Sequence, residues 1–245
     1  MRADWWRSFF TPKNFPIGEL TGAEATRREA RELLRVLRLP RGAKVLDLCC
    51  GMGRHSRLLA RAGLQVTGFD QSRSYLAAAR KSCPGVRFVR GDMRELPFDS
   101  EFDAVVNLWT SFGYFRRAGD DRRALRAMRR ALKPGGTLAL ELLDGGWLVG
   151  NFAAKDWRRK GAGWWLESRR LRRGKDPGVF AEMLLISADG KARGGEVFTR
   201  LYGRSRLERE LGRAGFDVLR LRGGLMERGL RPPRCRRILA LARRP

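Results

Sequence analysis

Lys44-Val-Leu-Asp-Leu-Cys-Cys-Gly-Met-Gly-Arg-His-Ser56 is the stretch that decides the fold. An apolar run (Val45, Leu46, Leu48) ends in an acid, Asp47, two cysteines and a Gly51-Met52-Gly53 turn, and a helix-compatible segment runs on from Arg54 to Ala62. A strand feeding a tight glycine turn into a helix sets a ligand against bare backbone N–H groups. Gly51 and Gly53 permit positive φ and leave no Cβ between main chain and ligand. A dinucleotide loop needs a third glycine, and that position holds Ser56. A Walker loop continues Gly-Lys-Ser/Thr, whereas Gly53 is followed by Arg54-His55. Asp47 repels a phosphate and suits a cation. The pattern predicts a loop for a positively charged nucleoside without phosphate, with an ordinary βα turn as the plainer alternative.

Outward from this loop, strand and helix signals alternate: strand 44–49, helix 54–62, strand 64–69, helix 73–82, strands 86–90 and 102–109, helix 120–132 and strand 136–143. Turns as short as Pro84-Gly85 and Lys133-Pro134-Gly135-Gly136 separate them. Such alternation implies an α/β fold, a parallel sheet with helices on both faces. Right-handed crossovers then bring every strand's C-terminal end to one edge. Before the loop lie an aromatic arm (Trp5, Trp6, Phe9, Phe10, Phe15) and an amphipathic helix over 22–38, with Ala23, Ala30, Leu33, Leu34 and Leu37 at helical spacing. After Asp144 come a Trp- and Arg-rich segment, 147–175, and antiparallel strands at 178–187 and 195–202. A helix over 205–214 is expected to open on a Ser205/Glu208 capping box, and strands at 216–222 and 235–242 follow.

Acids recur at the predicted sheet edge. Gly68-Phe69-Asp70 ends the second strand, where a carboxylate reaches the hydroxyls of a ribose over the glycine loop, although Asp70 also suits a helix N-cap. Gly91-Asp92-Met93 ends the third, placing Asp92 for an adenine amino group and Met93 for the ring face. The fourth ends at Asn107, before the aromatic loop Leu108–Phe115.

By these residues the chain resembles the class I S-adenosylmethionine-dependent methyltransferases, small-molecule type. The resemblance runs through Val45–Gly53, Val66–Asp70, Gly91–Phe98, Phe102–Asn107 and Leu132–Gly136, in that order and spacing. It implies a Rossmann-like seven-stranded sheet whose last strand pair is antiparallel, with S-adenosyl-L-methionine as cofactor. It further implies contacts from Asp47, Gly51 and Gly53 to the methionine part, from Asp70 to ribose, and from Asp92 and Met93 to adenine, with Cys49, Gln71 and Asn107 in the same set. Cys49 stands where the family's loop has its first glycine.

The acceptor is narrowed by exclusion. Asn107-Leu-Trp-Thr lacks the Asn/Asp-Pro-Pro-aromatic tetrapeptide associated with base amino groups, and no Pro-Cys supplies a nucleophile for pyrimidine carbon. His55, the only histidine, reads as structural or cofactor-facing. No cluster predicts a metal. A hydroxyl or amine acceptor has to lose a proton, and the candidates at this edge are Tyr114, Tyr202 and Glu141, with Asp144 beside them. The expected organisation is an arm and helix over 1–43, the cofactor core over 44–144, an antiparallel β lid insertion over 145–203, and the rest of the core over 204–245.

With 43% hydrophobic residues in 245, the chain supports one substantial core. No apolar run nears the roughly 20 residues that span a bilayer, and Met1–Phe10 lack a signal peptide's apolar core. The cysteines read as buried thiols of a reduced, cytoplasmic protein. The 52 basic residues against 26 acidic give +26, which raises RNA as a partner and an RNA (tRNA or rRNA) methyltransferase as the alternative function. Only eight of the 52 are lysine, so an arginine-biased composition explains the charge as well. The sequence predicts methyl transfer to a nitrogen or oxygen of a small-molecule acceptor.

Overall fold

A computed structural model describes residues 4–20, 22–160, 162–227 and 234–245. Two short helices, α1 (Trp6–Phe9) and α2 (Ile17–Leu20), precede α3 (Ala23–Leu37). Then come β1 (Lys44–Leu48), α4 (Arg54–Arg61), β2 (Gln65–Asp70), α5 (Arg73–Ser82), β3 (Arg87–Arg90), β4 (Phe102–Asn107), α6 (Ala118–Ala131) and β5 (Leu132–Leu143). A short α7 (Gly145–Gly150) leads into β6 (Lys155–Lys160), β7 (Gly163–Arg172), β8 (Gly178–Ile186) and β9 (Ala192–Arg200). The last elements are α8 (Arg204–Arg213), β10 (Asp217–Gly223) and β11 (Arg237–Arg243).

Seven strands form the main sheet in the order β10-β11-β5-β4-β1-β2-β3. All neighbours from β5 to β3 are parallel, while β11 runs antiparallel to both β5 and β10. Val45, Leu46 and Leu48 are fully buried because the central strand is covered on both faces. On one face, Leu33 and Leu37 of α3 and Leu59 of α4 pack on Val45, Val66, Ala104 and Val106. On the other, Leu125 and Met128 of α6 and Leu207 and Leu211 of α8 pack with Leu46, Val105, Leu138 and Leu140. The doubly covered parallel sheet and its antiparallel last pair are as the sequence predicts.

The second sheet, β6-β7-β8-β9, is antiparallel throughout. Its first two strands fall in the segment read only as Trp- and Arg-rich. Exposure there alternates along Gly163, Trp164, Trp165, Leu166 and Glu167, but the buried positions include a glycine and a glutamate, so the apolar period-2 signal is hidden. The capping box is also corrected: Gly203 is the N-cap of α8 and Ser205 lies inside the helix, with no side-chain cap. Among the described residues no helix is long and apolar enough to cross a membrane.

Candidate active site

β1 ends at Leu48, and its chain turns at once beneath the end of β2. Cys49 and Cys50 both donate their backbone N–H to the Phe69 carbonyl, at 2.7 and 3.1 Å. These bonds hold Cys49 at φ 61°, a left-handed conformation that a non-glycine residue takes at a cost of order 1 kcal/mol. Gly51 (φ 56°) points its missing Cβ into open space, where the first atom met is Ile17 Cδ1 at 3.9 Å. Gly53 (φ 75°) has a different reason to be glycine, since a Cβ there would press on Phe88, Cys83 and Ala79 at 3.1 to 3.3 Å. Of the two glycines, Gly51 leaves room for a ligand and Gly53 lets α5 and β3 approach.

A cavity of about 840 Å³, counted to its open mouth, lies over this edge of the sheet. One wall is Cys49, Gly51, Asp70, Gln71, Gly91, Asp92 and Met93, which lie at or just beyond the ends of β1, β2 and β3. The Asp70 carboxylate accepts the Gly51 N–H at 2.9 Å and the Ser72 N–H at 2.8 Å. Burial pushes its pKa up to about 6, the two N–H bonds offsetting part of the rise. Asp92 is gripped by Arg94, Nε to Oδ1 at 3.0 Å and Nη2 to Oδ2 at 2.6 Å. Burial opposes ionisation of Asp92, but Arg94 outweighs it and keeps the pKa below the ordinary carboxylate value.

The other wall is aromatic. Trp6, Phe10, Phe15 and Ile17 come from the N-terminal arm, and Trp109, Ser111, Tyr114 and Phe115 from the loop after β4. Three hydrogen bonds seat the arm: Trp5 Nε1 to the Tyr114 carbonyl (3.2 Å), Gln71 Nε2 to the Trp6 carbonyl (3.1 Å), and the Tyr75 hydroxyl to the Phe15 carbonyl. Edge-on ring contacts join Trp5 to Tyr114 at 5.3 Å, Trp6 to Phe115 at 5.0 Å and Phe15 to Trp165 of the second sheet at 5.8 Å. The four-stranded sheet therefore reaches the cavity through the arm.

Of the residues singled out from the sequence, Cys49, Gly51, Asp70, Gln71, Asp92, Met93 and Tyr114 line this cavity. Asp47, Gly53, Asn107, Glu141, Tyr202 and Asp144 are not among its lining residues. Asp47 is buried and accepts from Ser56 Oγ at 2.5 Å, which ties β1 to the first turn of α4. Asn107 donates Nδ2 to the Leu48 carbonyl at 3.0 Å, bracing the end of β1. Glu141 accepts the Leu225 N–H at 2.8 Å and the Trp109 N–H at 3.4 Å, so it shapes the loop rather than facing an acceptor. Tyr202 donates to Asp121 Oδ2 at 2.7 Å, in a buried network with Arg200. Asp144 caps α7 through the Gly146 and Trp147 N–H groups. Trp109 belongs to the aromatic loop expected after Asn107, whereas Tyr75 lines the cavity without a separate signal in the sequence, because the site-facing side of α5 is set by packing.

The residues present fit an adenosyl sulfonium: acids at the ends of β2 and β3, an open glycine under the arm, and π faces for a cation. Comparison with known proteins agrees. Residues 45–136 match a family model described as a methyltransferase domain. Over 212 residues the chain is 30% identical to the dTDP-3-amino-3,6-dideoxy-alpha-D-glucopyranose N,N-dimethyltransferase of Streptomyces fradiae, covering 83% of this chain and 82% of that protein. It is 36% identical over 130 residues to the demethylmenaquinone methyltransferase of Paenarthrobacter aurescens, covering 53% of this chain and 50% of that one. With curated relatives of this second kind, the match spans about half of their length. Among solved structures, the S-adenosylmethionine-bound amino pentose methyltransferase of Micromonospora echinaspora superposes with a TM-score of 0.66 at 26% identity, covering 89% of this chain and 91% of that one.

Proposed function

The chain belongs to the class I S-adenosylmethionine-dependent methyltransferases, and from this premise we propose that it methylates a nitrogen or oxygen of a small-molecule acceptor. The observation that carries the reading is the two-walled cavity, with donor acids on one side and an aromatic roof on the other. S-adenosylmethionine supplies a methyl group already activated on a sulfonium, so the protein's work is alignment and exclusion of water. Asp70 would accept the ribose hydroxyls and Asp92, with Met93, the adenine edge. The main chain from Cys49 to Gly51 would hold the methionine part. Phe10, Phe15, Trp109 and Tyr114 keep water out, and their faces attract a cationic centre.

The same walls describe the acceptor. Apart from Asp70 and Asp92, no charged side chain lines the cavity among the described residues. A nitrogen acceptor has to be a free amine when it attacks and an oxygen acceptor a hydroxyl losing its proton, with the Ser111 and Tyr114 hydroxyls as polar neighbours. The amine is favoured by the amino-sugar methyltransferases among the relatives. RNA is the weaker reading: Arg158, Arg169 and Arg172 in the Trp- and Arg-rich segment are engaged by Asp156, Glu167 and Asp176. Four free thiols, Cys49, Cys50, Cys83 and Cys235, suit the reducing cytoplasm. Incubation with methyl-labelled S-adenosylmethionine and a fractionated cell extract tests the proposal. Label should appear in the small-molecule fraction; label confined to RNA would replace this reading with the other.

A further inference from the structure

Glu29 is a buried carboxylate on α3 with no part in the site as described so far. A helix that only packed on the sheet would hold an apolar residue there. Glu29 Oε2 instead accepts from Arg54 Nη1 at 2.6 Å and lies 3.0 Å from His55 Nε2, while Oε1 accepts from Trp109 Nε1 at 2.8 Å. Arg54 and His55 open α4 directly after Gly53, and Trp109 lines the cavity. One carboxylate thus touches both the start of the helix beneath the donor loop and the aromatic wall. Burial by itself would raise its pKa, but the His55 bond and the Arg54 guanidinium outweigh that and hold it at about 2, so it is ionised at any working pH.

Trp109 also stands where the backbone is strained. Trp109 and Thr110 both have φ 60°, and two successive non-glycine residues in this region cost of order 1 kcal/mol each. The surroundings hold them there: the Thr110 N–H bonds the Glu141 carbonyl at 3.0 Å, and Thr110 Oγ1 accepts from the Leu143 N–H at 2.9 Å and Arg237 Nη1 at 3.2 Å. Two guanidiniums lie over the indole, Arg54 at 4.4 Å and Arg237 at 5.3 Å from the ring centroid. An indole fixed at its ring, its N–H and its backbone is placed, not merely accommodated.

We propose that Glu29 is a positioning residue for methyl-donor binding, fixing the Trp109 indole through Oε1 and the first turn of α4 through Oε2, so that the loop wall and the aromatic wall are set together. The inference rests on the cavity being the S-adenosylmethionine site. Its test is a double-mutant cycle on the full chain, Glu29→Gln and Trp109→Phe, read as the affinity for S-adenosylhomocysteine by calorimetry, with melting temperature followed alongside. Trp109→Phe keeps an aromatic ring and removes the N–H, and each single change should weaken binding about five- to tenfold, within the range of coupling between residues of one hydrogen-bond network. The double variant should bind no more weakly than the weaker single one, because the glutamine's single oxygen stays with the Arg54 guanidinium and turns its NH2 to the indole N–H, which already breaks the link that Trp109→Phe removes. A purely structural Glu29 would lower the melting temperature and leave affinity at the wild-type value. That result, or a double loss equal to the product of the singles, overturns the proposal. If Glu29→Gln does not fold, Trp109→Phe decides alone, and unchanged affinity overturns it. Wild-type protein that fails to bind S-adenosylhomocysteine would overturn the assignment of the cavity, a separate and recognisable failure that takes the inference with it.

Discussion

The two walls of the cavity are made by different means. The donor wall follows from the main chain: Cys49 and Gly51 come just after β1, Asp70 and Gln71 at the end of β2, and Gly91, Asp92 and Met93 after β3. Once a parallel sheet forms, those residues have nowhere else to go. The aromatic wall is assembled from side chains of two distant segments, 6–17 and 109–115, and is buttressed by Trp165 from a third. One wall concentrates its free energy in a few charge-assisted hydrogen bonds. The other spreads it over ring contacts, each worth about 1 kcal/mol beyond area burial. Donor affinity should therefore be fragile at single positions of the first wall and more tolerant at those of the second, Trp109 with its bond to Glu29 excepted.

The largest test of that contrast is Asp70→Ala. On the proposed assignment, losing the carboxylate that would accept two ribose hydroxyls should weaken S-adenosylhomocysteine binding about 100-fold, two charged hydrogen bonds at roughly 1.5 kcal/mol or a little less each. Calorimetry reads it directly. Unchanged affinity would remove Asp70 from the ribose and leave the donor wall without its strongest contact.

A milder perturbation of the same group is pH. Burial raises the Asp70 pKa to about 6, above the 3.8 of a free aspartate. The folded protein thus holds this proton more tightly than the unfolded chain. The stability Asp70 contributes is therefore full below the unfolded value and is lost as pH rises through 6. Ligand binding should have the opposite sign, because in the proposed site the ribose hydroxyls would donate to the ionised form. Affinity for S-adenosylhomocysteine should fall about tenfold per unit as pH drops below 6 and stay level above about 7. The slope should vanish in Asp70→Asn; a slope that survives there belongs to another group.

The same contrast explains what could be read from the sequence. The glycine loop, Asp70 and Asp92 were legible because strand, turn and acid recur in order, and topology alone brings strand ends together. Asp47 and Asn107 carry the same signal yet turn inward, to Ser56 and the Leu48 carbonyl, because side chains alternate along a strand and only some of those near its end face the crevice. Tyr202 and Glu141 were plausible proton acceptors by residue type, but type does not reveal a buried partner such as Asp121 or the Leu225 N–H. The arm was legible as something that folds back, from its density of aromatics. Which of its rings meet the cavity was not, since Trp5, Trp6 and Phe9 are all buried in the core and only Trp6 of these joins Phe10 and Phe15 in lining the site. Glu29 is the extreme case: its spacing to Leu33 and Leu37 puts it on the buried side of α3, but nothing in the spacing names Arg54, His55 and Trp109 as its partners.

The smallest expected effect falls on the aromatic wall. Tyr114 is the one residue proposed from the sequence as a proton acceptor that lines the cavity, and its role decides whether this wall encloses the reaction or takes part in it. Its ring is held by Trp5 at 5.3 Å and Phe10 at 5.2 Å, contacts that a phenylalanine would keep. Burial pushes its phenol pKa well above the ordinary value, so it stays protonated through neutral pH and is a poor base. Tyr114→Phe should cost turnover on the labelled acceptor fraction only about two- to fivefold, the size of one neutral hydrogen bond, and leave the pH profile unmoved. A general base behaves otherwise: its removal costs on the order of 100-fold or more and erases one limb of the profile. That outcome would give the aromatic wall a chemical role at a single atom. The contrast would then lie between two kinds of polar contact, no longer between hydrogen bonds and enclosure.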